Sequence, residues 1–421
     1  MTSTRPATVV VAGAGLGGLR AAEQLRAQGF TGEITVVGDE PYPPYNRPPL
    51  SKEALLSSGD AVRAAELAAS LAFRPRAAAG DVRWRLGRTV VAADLTARSI
   101  TLDDGEVLGW GALVVATGLR PRRLPQTAPA RGRHTIRTAA DAAGLRHEVR
   151  PGVRVVVVGG GFVGCEAAAT LAALGCAVSV VEPLPVPMVR GVGHRVGAAL
   201  LEHHRAAGVQ FVTGTGVSRL IGGRPGHPDA DRVRGVVLDD GRTLDADLVV
   251  ESVGSQATVE WLDGNGLDLT DGVVCDNHLR VEGRADVVAV GDVARFPNPR
   301  FDSVPRRVEH WCIPGETARR AAGTLIAHLN GTALPDASFA PLPSFWSDQF
   351  GLRLQSFGAP GLADRVEVLE GELGQLPAGV AVGCHRGGEV VGVILINIPP
   401  ARHPGYRSLL SSAATPAAQL L

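Results

Sequence analysis

Two stretches of this chain repeat one pattern of apolar residues and glycines. Four apolar residues at 9–12 lead into Gly-Ala-Gly-Leu-Gly-Gly at 13–18, and four valines at 155–158 lead into Gly-Gly-Gly-Phe-Val-Gly at 159–164. Apolar residues then recur at helical spacing until a glycine ends the pattern. Each stretch predicts a strand, a G-x-G-x-x-G turn and a helix, the unit that binds the pyrophosphate of a dinucleotide.

A second apolar strand follows each predicted helix and ends at acidic residues. The strand at 34–37 precedes Asp39 and Glu40, and the strand at 178–181 precedes Glu182. A carboxylate at this position can accept hydrogen bonds from ribose hydroxyls. The chain therefore offers two nucleotide sites, which suggests that hydride passes from one cofactor to another.

Three more apolar strands are predicted at 112–115, 246–250 and 287–290. They lead into Ala116-Thr117-Gly118, Gly254 and Gly291-Asp292. Strand ends of this kind place backbone amides and a carboxylate at the edge of the sheet where open α/β folds bind ligands. After a linker rich in Pro and Ala at 335–343, the pattern changes to the alternation of an antiparallel α+β module.

Composition excludes several classes of partner. The 421 residues include 42 Lys+Arg and 42 Asp+Glu, so no net charge favours nucleic acid or a membrane surface. The N-terminus leaves no room for a signal peptide, and no run of about 18 apolar residues occurs. Five scattered cysteines show no metal-type spacing. We expect a cytoplasmic protein without a metal site.

Several stretches together resemble one family, the FAD-dependent NAD(P)H reductases of the putidaredoxin-reductase and rubredoxin-reductase type, which include the reductase components of ring-hydroxylating dioxygenases. Beside the two glycine-rich turns, the matching stretches are 44–52 (Pro-Tyr-Asn-Arg-Pro-Pro-Leu-Ser-Lys), 116–118, Glu166, 290–292, 307–311 and 345–349. They occur in the family's order and cover nearly the whole chain.

The resemblance implies an α/β fold with two Rossmann-like dinucleotide-binding domains and a small α+β C-terminal domain. The implied boundaries are 1–119 and 246–332 for the two parts of the FAD domain, 120–245 for the NAD domain and 333–421 for the C-terminal domain. Residues implied to bind FAD are Gly13, Gly15, Leu16, Gly17, Asp39, Glu40, Arg47, Pro48, Lys52, Val90, Ala116, Thr117, Gly118, Arg137, Gly291, Asp292, Glu309, His310 and Trp311. Those implied to bind NAD are Gly159, Gly161, Phe162, Val163, Gly164, Glu166, Glu182 and Gly254.

The implied catalytic residues are Lys52 and Glu166. Lys52 is the single lysine among 42 cationic residues, which indicates that a compact point charge is needed there. We expect it near flavin N5 and O4, paired with Glu166, although codon usage could also leave one lysine. Glu166 is predicted in the first turn of its helix, where any acid gains from the helix dipole.

Glu182 bears on the choice of nicotinamide cofactor, because a carboxylate there repels a 2′-phosphate. We therefore expect NADH in preference to NADPH, unless Glu182 is only a solvated acid at a strand end. Ile313, Pro314 and Thr317 depart from the family's usual Asn-Ala pair and later Gln near the flavin.

Three histidines are assigned from sequence alone. His310 could equally be a hydrogen-bonded structural residue beside Trp311. His203 and His204, on a helix-like stretch, are expected to be exposed.

The predicted activity is that of an NADH-dependent ferredoxin reductase, a monomer or homodimer. No cysteine precedes Cys165, which argues against a redox dithiol beside the flavin. The flavin would take hydride from NADH at N5 and pass single electrons to a 2Fe-2S ferredoxin that supplies a haem-thiolate monooxygenase or ring-hydroxylating dioxygenase. Arg295, Arg300, Arg306 and Arg307 would form a basic rim that steers an acidic ferredoxin, or would be merely solvated.

Two other activities fit the same sequence. One is an NADH oxidase or a quinone and dye reductase, in which the flavin reduces oxygen or a small molecule. The other is a flavoprotein that serves as a redox-responsive binding module.

Overall fold

The computed structural model describes residues 8–57, 59, 62–74, 76, 79–224 and 226–410. The described parts of Met1–Asn46, Ala68–Arg120 and Ser255–Pro343 form a first compact unit. The described parts of Arg47–Leu67, Pro121–Gly254 and Ser344–Leu421 form a second. The four-part domain division expected from the sequence stays a proposal.

The elements of the described residues are as follows. The helices are α1 (Leu16–Ala27), α2 (Glu53–Ser57), α3 (Ala64–Ser70), α4 (Ala139–Glu148), α5 (Phe162–Ala173), α6 (Val189–Ala206), α7 (Ile313–Asn330) and α8 (His403–Ser408). The strands are β1 (Thr8–Ala12), β2 (Glu33–Gly38), β3 (Arg83–Leu86), β4 (Val90–Asp94), β5 (Ser99–Leu102), β6 (Val107–Gly109), β7 (Ala112–Val115), β8 (Leu119–Pro121), β9 (Arg133–His134), β10 (Arg154–Val158), β11 (Ala177–Glu182), β12 (Gln210–Thr213), β13 (Val217–Ile221), β14 (Gly235–Leu238), β15 (Thr243–Asp245), β16 (Leu248–Glu251), β17 (Ser255–Ala257), β18 (Val273–Val274), β19 (Val287–Ala289), β20 (Ala294–Asn298), β21 (Asp302–Arg307), β22 (Ser344–Gln349), β23 (Leu352–Gly358), β24 (Arg365–Glu370), β25 (Val380–Arg386) and β26 (Glu389–Ile396).

The first unit is built on a parallel sheet of five strands in the order β19-β7-β1-β2-β3. Its central strands are buried on both faces, which explains the unbroken Val and Ala runs of the sequence. Helix α1 connects β1 to β2, and two three-stranded sheets, β4-β5-β6 and β18-β20-β21, complete the unit. The strands expected at 9–12, 34–37, 112–115 and 287–290 are confirmed within one or two residues.

The second unit contains a second parallel sheet, ordered β12-β11-β10-β16-β9, with α5 connecting β10 to β11. A three-stranded sheet, β13-β14-β15, accompanies it. The same unit includes the antiparallel sheet β22-β23-β26-β25-β24, formed by the alternating segments near the C-terminus. The predicted fold class is thus confirmed. Among the residues that the structure describes, no helix has the length and apolar character needed to cross a lipid bilayer.

Candidate functional site

The first glycine-rich turn fits only glycine at two positions. Gly13 has a φ of +118°, and a Cβ there would lie 2.1 Å from the Ala116 carbonyl oxygen. A Cβ on Gly18 would lie 1.9 Å from the Gly13 carbonyl oxygen. The helix therefore packs on the strand through Gly18, a residue that the sequence-based assignment omitted in favour of Gly17.

The N-terminus of α1 is open in the way that an anion requires. Its N-cap, Gly15, makes no side-chain capping bond, and the first turn, which includes Leu16 and Gly17, carries no acid. A Cβ on Gly15 would meet no heavy atom within 4 Å, whereas Gly17 already faces Val290. Exposed amides beside this space suit a pyrophosphate.

The two acids after β2 differ in their surroundings. Asp39 is exposed, and its Oδ1 accepts a hydrogen bond of 3.0 Å from the Glu40 amide. Glu40 is half-buried, and its Oε2 accepts from the Tyr45 hydroxyl at 2.5 Å. Both stand at the carboxyl end of a strand, where they can receive ribose hydroxyls.

The turns after β7 and β19 are held by threonine side chains. Thr117, between Ala116 and Gly118, donates its hydroxyl to the Thr258 carbonyl at 2.6 Å. Thr317 on α7 accepts from the Gly291 amide at 3.0 Å and donates to the Ile313 carbonyl at 2.7 Å. The departure at Thr317 therefore fixes the turn that presents Asp292.

Ile313 and Pro314, the other two departures from the family's sequence, are the first residues of α7. Pro314 lies in the first turn of this helix, where the missing amide removes no intrahelical hydrogen bond. Pro314 and Ile313 are both buried.

The predicted residues before α7 are more exposed. Trp311 is 42% exposed, and its Nε1 donates to Asn46 Oδ1 at 3.1 Å, so it is not a core residue. Glu309 is exposed and accepts from Ser255 Oγ at 2.9 Å. Burial lowers the pKa of the His310 imidazole to about 4, which keeps this side chain neutral at pH 7.

Val90, which was expected to bind FAD, is 9% exposed in the hydrophobic core of the first unit.

Carboxylates lie beside most of the arginines that were expected to form a basic rim. Arg295 pairs with Asp268, and Arg306 pairs with Asp302. Arg307 lies 2.7 Å from Asp271 and 2.8 Å from Glu309. Three of the four arginines therefore have carboxylate partners, and the expectation that the cluster steers an acidic ferredoxin stays a prediction.

The second glycine-rich turn repeats the geometry of the first. Gly159 has a φ of +104°, and a Cβ there would lie 2.2 Å from the Ser252 carbonyl oxygen. A Cβ on Gly164 would lie 2.0 Å from the Gly159 carbonyl oxygen, while one on Gly161 would meet no heavy atom within 4 Å. Helix α5 begins at Phe162 and Val163 without a side-chain cap, so its amides can also receive a pyrophosphate.

Glu182 is buried rather than solvated. Its Oε2 accepts from the Gly160 amide at 2.6 Å and its Oε1 accepts from the Leu184 amide at 2.9 Å. The side chain thereby ties the glycine-rich turn to the loop after β11. A buried carboxylate here also opposes a 2′-phosphate.

Replacing Glu182 with glutamine should weaken NADH binding by roughly 10- to 100-fold, because one of the two backbone amides that bind its carboxylate loses its acceptor, which costs about 1–3 kcal/mol. We also expect the preference for NADH over NADPH to narrow. Dissociation constants for both cofactors would measure this, with Ser179→Ala, on the same strand but half-exposed, as control. Equal losses of NADH affinity in Glu182→Gln and Ser179→Ala would contradict this role of Glu182.

Lys52 and Glu166 meet within the second unit, as predicted. Lys52 Nζ lies 2.9 Å from Glu166 Oε1, and neither residue is more than 8% exposed. Glu166 Oε2 accepts from Ser51 Oγ at 2.6 Å, and Oε1 accepts from Ser347 Oγ at 2.6 Å. Sequence reasoning missed both serines, although they stand inside the stretches 44–52 and 345–349 that carried the resemblance.

The position of Glu166 in α5 corrects one expectation. The helix begins at Phe162, and its first turn contains no acid. Glu166 therefore lies in the second turn, where the helix dipole contributes little. Its three hydrogen-bond donors, rather than the dipole, explain a buried carboxylate at this point.

The remaining predicted residues also lie in the second unit. Arg47, just before the short 3₁₀ helix Pro48–Ser51, donates to the Arg137 carbonyl at 2.6 Å. Gly254 is exposed, with a φ of +100°.

His204 is fully buried, and the prediction that it is exposed is wrong. Its Nε2 lies 2.7 Å from Gln349 Oε1, a residue 145 positions away in the chain. His203 is half-buried and contacts the Phe350 carbonyl oxygen. Among the described residues, no group of His, Cys, Asp and Glu side chains could hold a metal ion.

Comparison with known proteins agrees with this geometry. A family model described as pyridine nucleotide-disulphide oxidoreductase matches residues 7–312, and one described as reductase C-terminal matches residues 344–421. Rhodocoxin reductase of Rhodococcus erythropolis is 34% identical over 415 residues, covering 96% of this chain and 90% of that protein.

A second relative is the ferredoxin–NAD(+) reductase component of the p-cumate 2,3-dioxygenase system of Pseudomonas putida. It is 37% identical over 356 residues, covering 83% of this chain and 81% of its own. Among solved structures, the covalent putidaredoxin reductase–putidaredoxin complex is similar with a TM-score of 0.85 and 32% identity, covering 97% of this chain and 94% of that one.

Proposed function

The chain belongs to the pyridine nucleotide-disulphide oxidoreductase family, and on that premise we propose that it is an NADH-dependent ferredoxin reductase. Bound FAD would supply the redox chemistry, with N5 as the acceptor of hydride from NADH and with transfer of single electrons to a 2Fe-2S ferredoxin that supplies a haem-thiolate monooxygenase or ring-hydroxylating dioxygenase. The observation that carries the proposal is the repeated turn, which gives one chain two uncapped helix N-termini.

The first unit supplies most of the residues that would hold FAD. The amides around Gly13, Gly15, Leu16 and Gly17 would receive the pyrophosphate, and Asp39 and Glu40 would receive the ribose. Other residues of this unit that we assign to FAD are the turns at 116–118 and 291–292 together with Val90, Glu309, His310 and Trp311. We also assign Arg47, Pro48, Lys52 and Arg137 to FAD, as the resemblance implies.

The second unit would hold NADH. The amides at Gly159, Gly161 and the first turn of α5 would receive its pyrophosphate, with Glu182 and Gly254 beside them. Glu166 lies one turn further along α5 and pairs with Lys52. We assign this ion pair to aligning the nicotinamide. The protein's part in hydride transfer is therefore alignment by a fixed ion pair.

A redox dithiol has no place in this proposal. No cysteine precedes Cys165 in the sequence. Cys165 is itself buried, and burial raises the pKa of its thiol, which keeps it protonated and unreactive.

The purified protein should be yellow, with one FAD and no iron–sulfur absorbance. Absorbance spectra before and after incubation with FAD test this expectation. A protein that stays colourless after incubation would contradict the whole assignment.

The activity is tested by electron flow from NADH to cytochrome c, with and without added 2Fe-2S ferredoxins. A ferredoxin reductase reduces cytochrome c rapidly only when ferredoxin is present. Rapid oxygen consumption with NADH alone would show an oxidase instead, and slow turnover with every acceptor would show a redox-responsive binding module. The proposal includes a cytoplasmic location and a monomer or homodimer.

A further inference from the structure

A line of buried side-chain hydrogen bonds runs through the second unit and ends at Glu166. His204 Nε2 lies 2.7 Å from Gln349 Oε1, and Gln349 Nε2 lies 2.8 Å from Ser347 Oγ. Ser347 Oγ in turn lies 2.6 Å from Glu166 Oε1, the atom that accepts from Lys52. None of these side chains except Lys52 is more than 5% exposed.

The chemistry of the groups gives these hydrogen bonds one direction. An amide oxygen only accepts, so His204 donates from Nε2, and the Gln349 amide nitrogen donates to Ser347. Ser347 is then left to give its single proton to Glu166. In the opposite amide orientation, Ser347 would have to donate to Gln349 and would lose its bond to the carboxylate.

The state of His204 agrees with this direction. Burial lowers the pKa of its imidazole to about 4, so the ring is neutral at pH 7 and carries one proton. Its Nδ1 has no hydrogen-bond partner among the described residues. The proton is therefore placed on Nε2, facing Gln349.

Packing holds the ring and the hairpin together. His204 on α6 lies edge-on to Phe211 at 5.5 Å and to Phe350 at 5.1 Å between ring centroids. Phe350 has a φ of +46° in the turn between β22 and β23, a conformation that non-glycine residues rarely adopt. Helix α6 thereby fixes the strand that carries Ser347 and Gln349.

We propose that His204 and Gln349 are positioning residues, which hold Ser347 Oγ against Glu166 and so fix the carboxylate that orients Lys52. This inference rests on the proposed function, in which the Lys52–Glu166 pair aligns the nicotinamide. We call His204, Gln349 and Ser347 the relay. Without His204 and Gln349, Glu166 keeps its bonds to Ser51 and Lys52, but Ser347 Oγ, the second donor to Oε1, is no longer held in place.

The single lysine of the sequence makes the test direct. With ¹⁵N-labelled lysine, nuclear magnetic resonance should give one side-chain signal, that of Lys52. We expect this signal to shift in His204→Leu and in Gln349→Leu, but not in Arg205→Ala, which changes an exposed residue of the same helix outside the relay. His204→Gln, which keeps a donor near the position of Nε2, should restore it.

The same variants should separate chemistry from binding. In His204→Leu and Gln349→Leu, the limiting rate of flavin reduction by NADH should fall roughly tenfold, because a misaligned nicotinamide reacts slowly. The dissociation constant of NADH should stay unchanged, because its pyrophosphate site is untouched. Thermal unfolding identifies a variant that fails to fold, in which case Ser347→Ala replaces it.

Two results would overturn the proposal. One is a native Lys52 signal and a native reduction rate in both relay variants, and the other is an equal effect in Arg205→Ala. The lysine signal needs no turnover, so it decides the relay even if ferredoxin is never reduced. Failure of the proposed function would instead be seen in the unmodified protein.

Discussion

Replacing Lys52 with arginine is expected to slow reduction of the bound flavin by NADH by on the order of 100-fold while FAD stays bound. Lys52 Nζ approaches Glu166 at 2.9 Å in a space where the lysine is only 8% exposed. Both oxygens of the Glu166 carboxylate already accept hydrogen bonds from serine hydroxyls. A guanidinium is a wider, planar group, so it cannot take the place of a compact ammonium without displacing one of these donors.

Stopped-flow measurement of flavin reduction over a range of NADH concentrations tests this expectation. Lys52→Met should be at least as slow, since it removes the charge as well. Arg205→Lys, an exchange in the opposite direction at an exposed position of α6, is the control and should reduce at the native rate. A native rate in Lys52→Arg would show that the lone lysine is an accident of composition.

Features that are encoded locally could be predicted from the sequence. The positive φ of Gly13 and Gly159, and the close approach of Gly18 and Gly164 to the preceding turn, need glycine whatever the rest of the chain does. Each turn is flanked by apolar runs that form buried parallel strands. Both strand–turn–helix units were therefore predictable from short windows of sequence.

Features that depend on distant partners could not be predicted. His204 reads as a solvated residue of an amphipathic helix, but its acceptor, Gln349, belongs to a strand 145 residues later. Arg295 and Arg307 read as free cations, but Asp268 and Asp271 come from another loop. A sequence window contains neither the pairing nor the burial that results from it.

Glu166 lies between these two cases. The resemblance to known reductases predicted its pairing with Lys52, and the structure brings the two together. The relay that reaches the same carboxylate through Ser347 had no separate sequence signal. Its residues are scattered over α6 and β22, and only the fold makes them neighbours.

Two alanine substitutions should separate the two nucleotide sites without unfolding the protein. Gly15 and Gly161 have φ values of −81° and −74°, which alanine adopts readily. A Cβ at either position meets no heavy atom of the protein within 4 Å, so the methyl group would stand in the space beside the helix amides. We expect it to obstruct the pyrophosphate there.

Gly15→Ala should therefore weaken FAD binding, and Gly161→Ala should weaken NADH binding while the protein remains yellow. Loss of charge-assisted hydrogen bonds worth about 1.5–3 kcal/mol corresponds to roughly 10- to 100-fold in each dissociation constant. Fluorescence titration of FAD into the apoprotein and of NADH into the holoprotein measures the two effects separately.

The matched controls are Gly13→Ala and Gly159→Ala, each two residues before the tested glycine of the same turn. There a Cβ would lie about 2 Å from a backbone carbonyl oxygen, at 2.1 and 2.2 Å respectively, so we expect misfolding rather than a selective loss of one cofactor. If Gly161→Ala lowered FAD and NADH binding together, or if Gly15→Ala spared FAD, the assignment of one nucleotide to each turn would be wrong. Selective losses with unchanged thermal unfolding of the apoprotein would place one cofactor at each helix N-terminus.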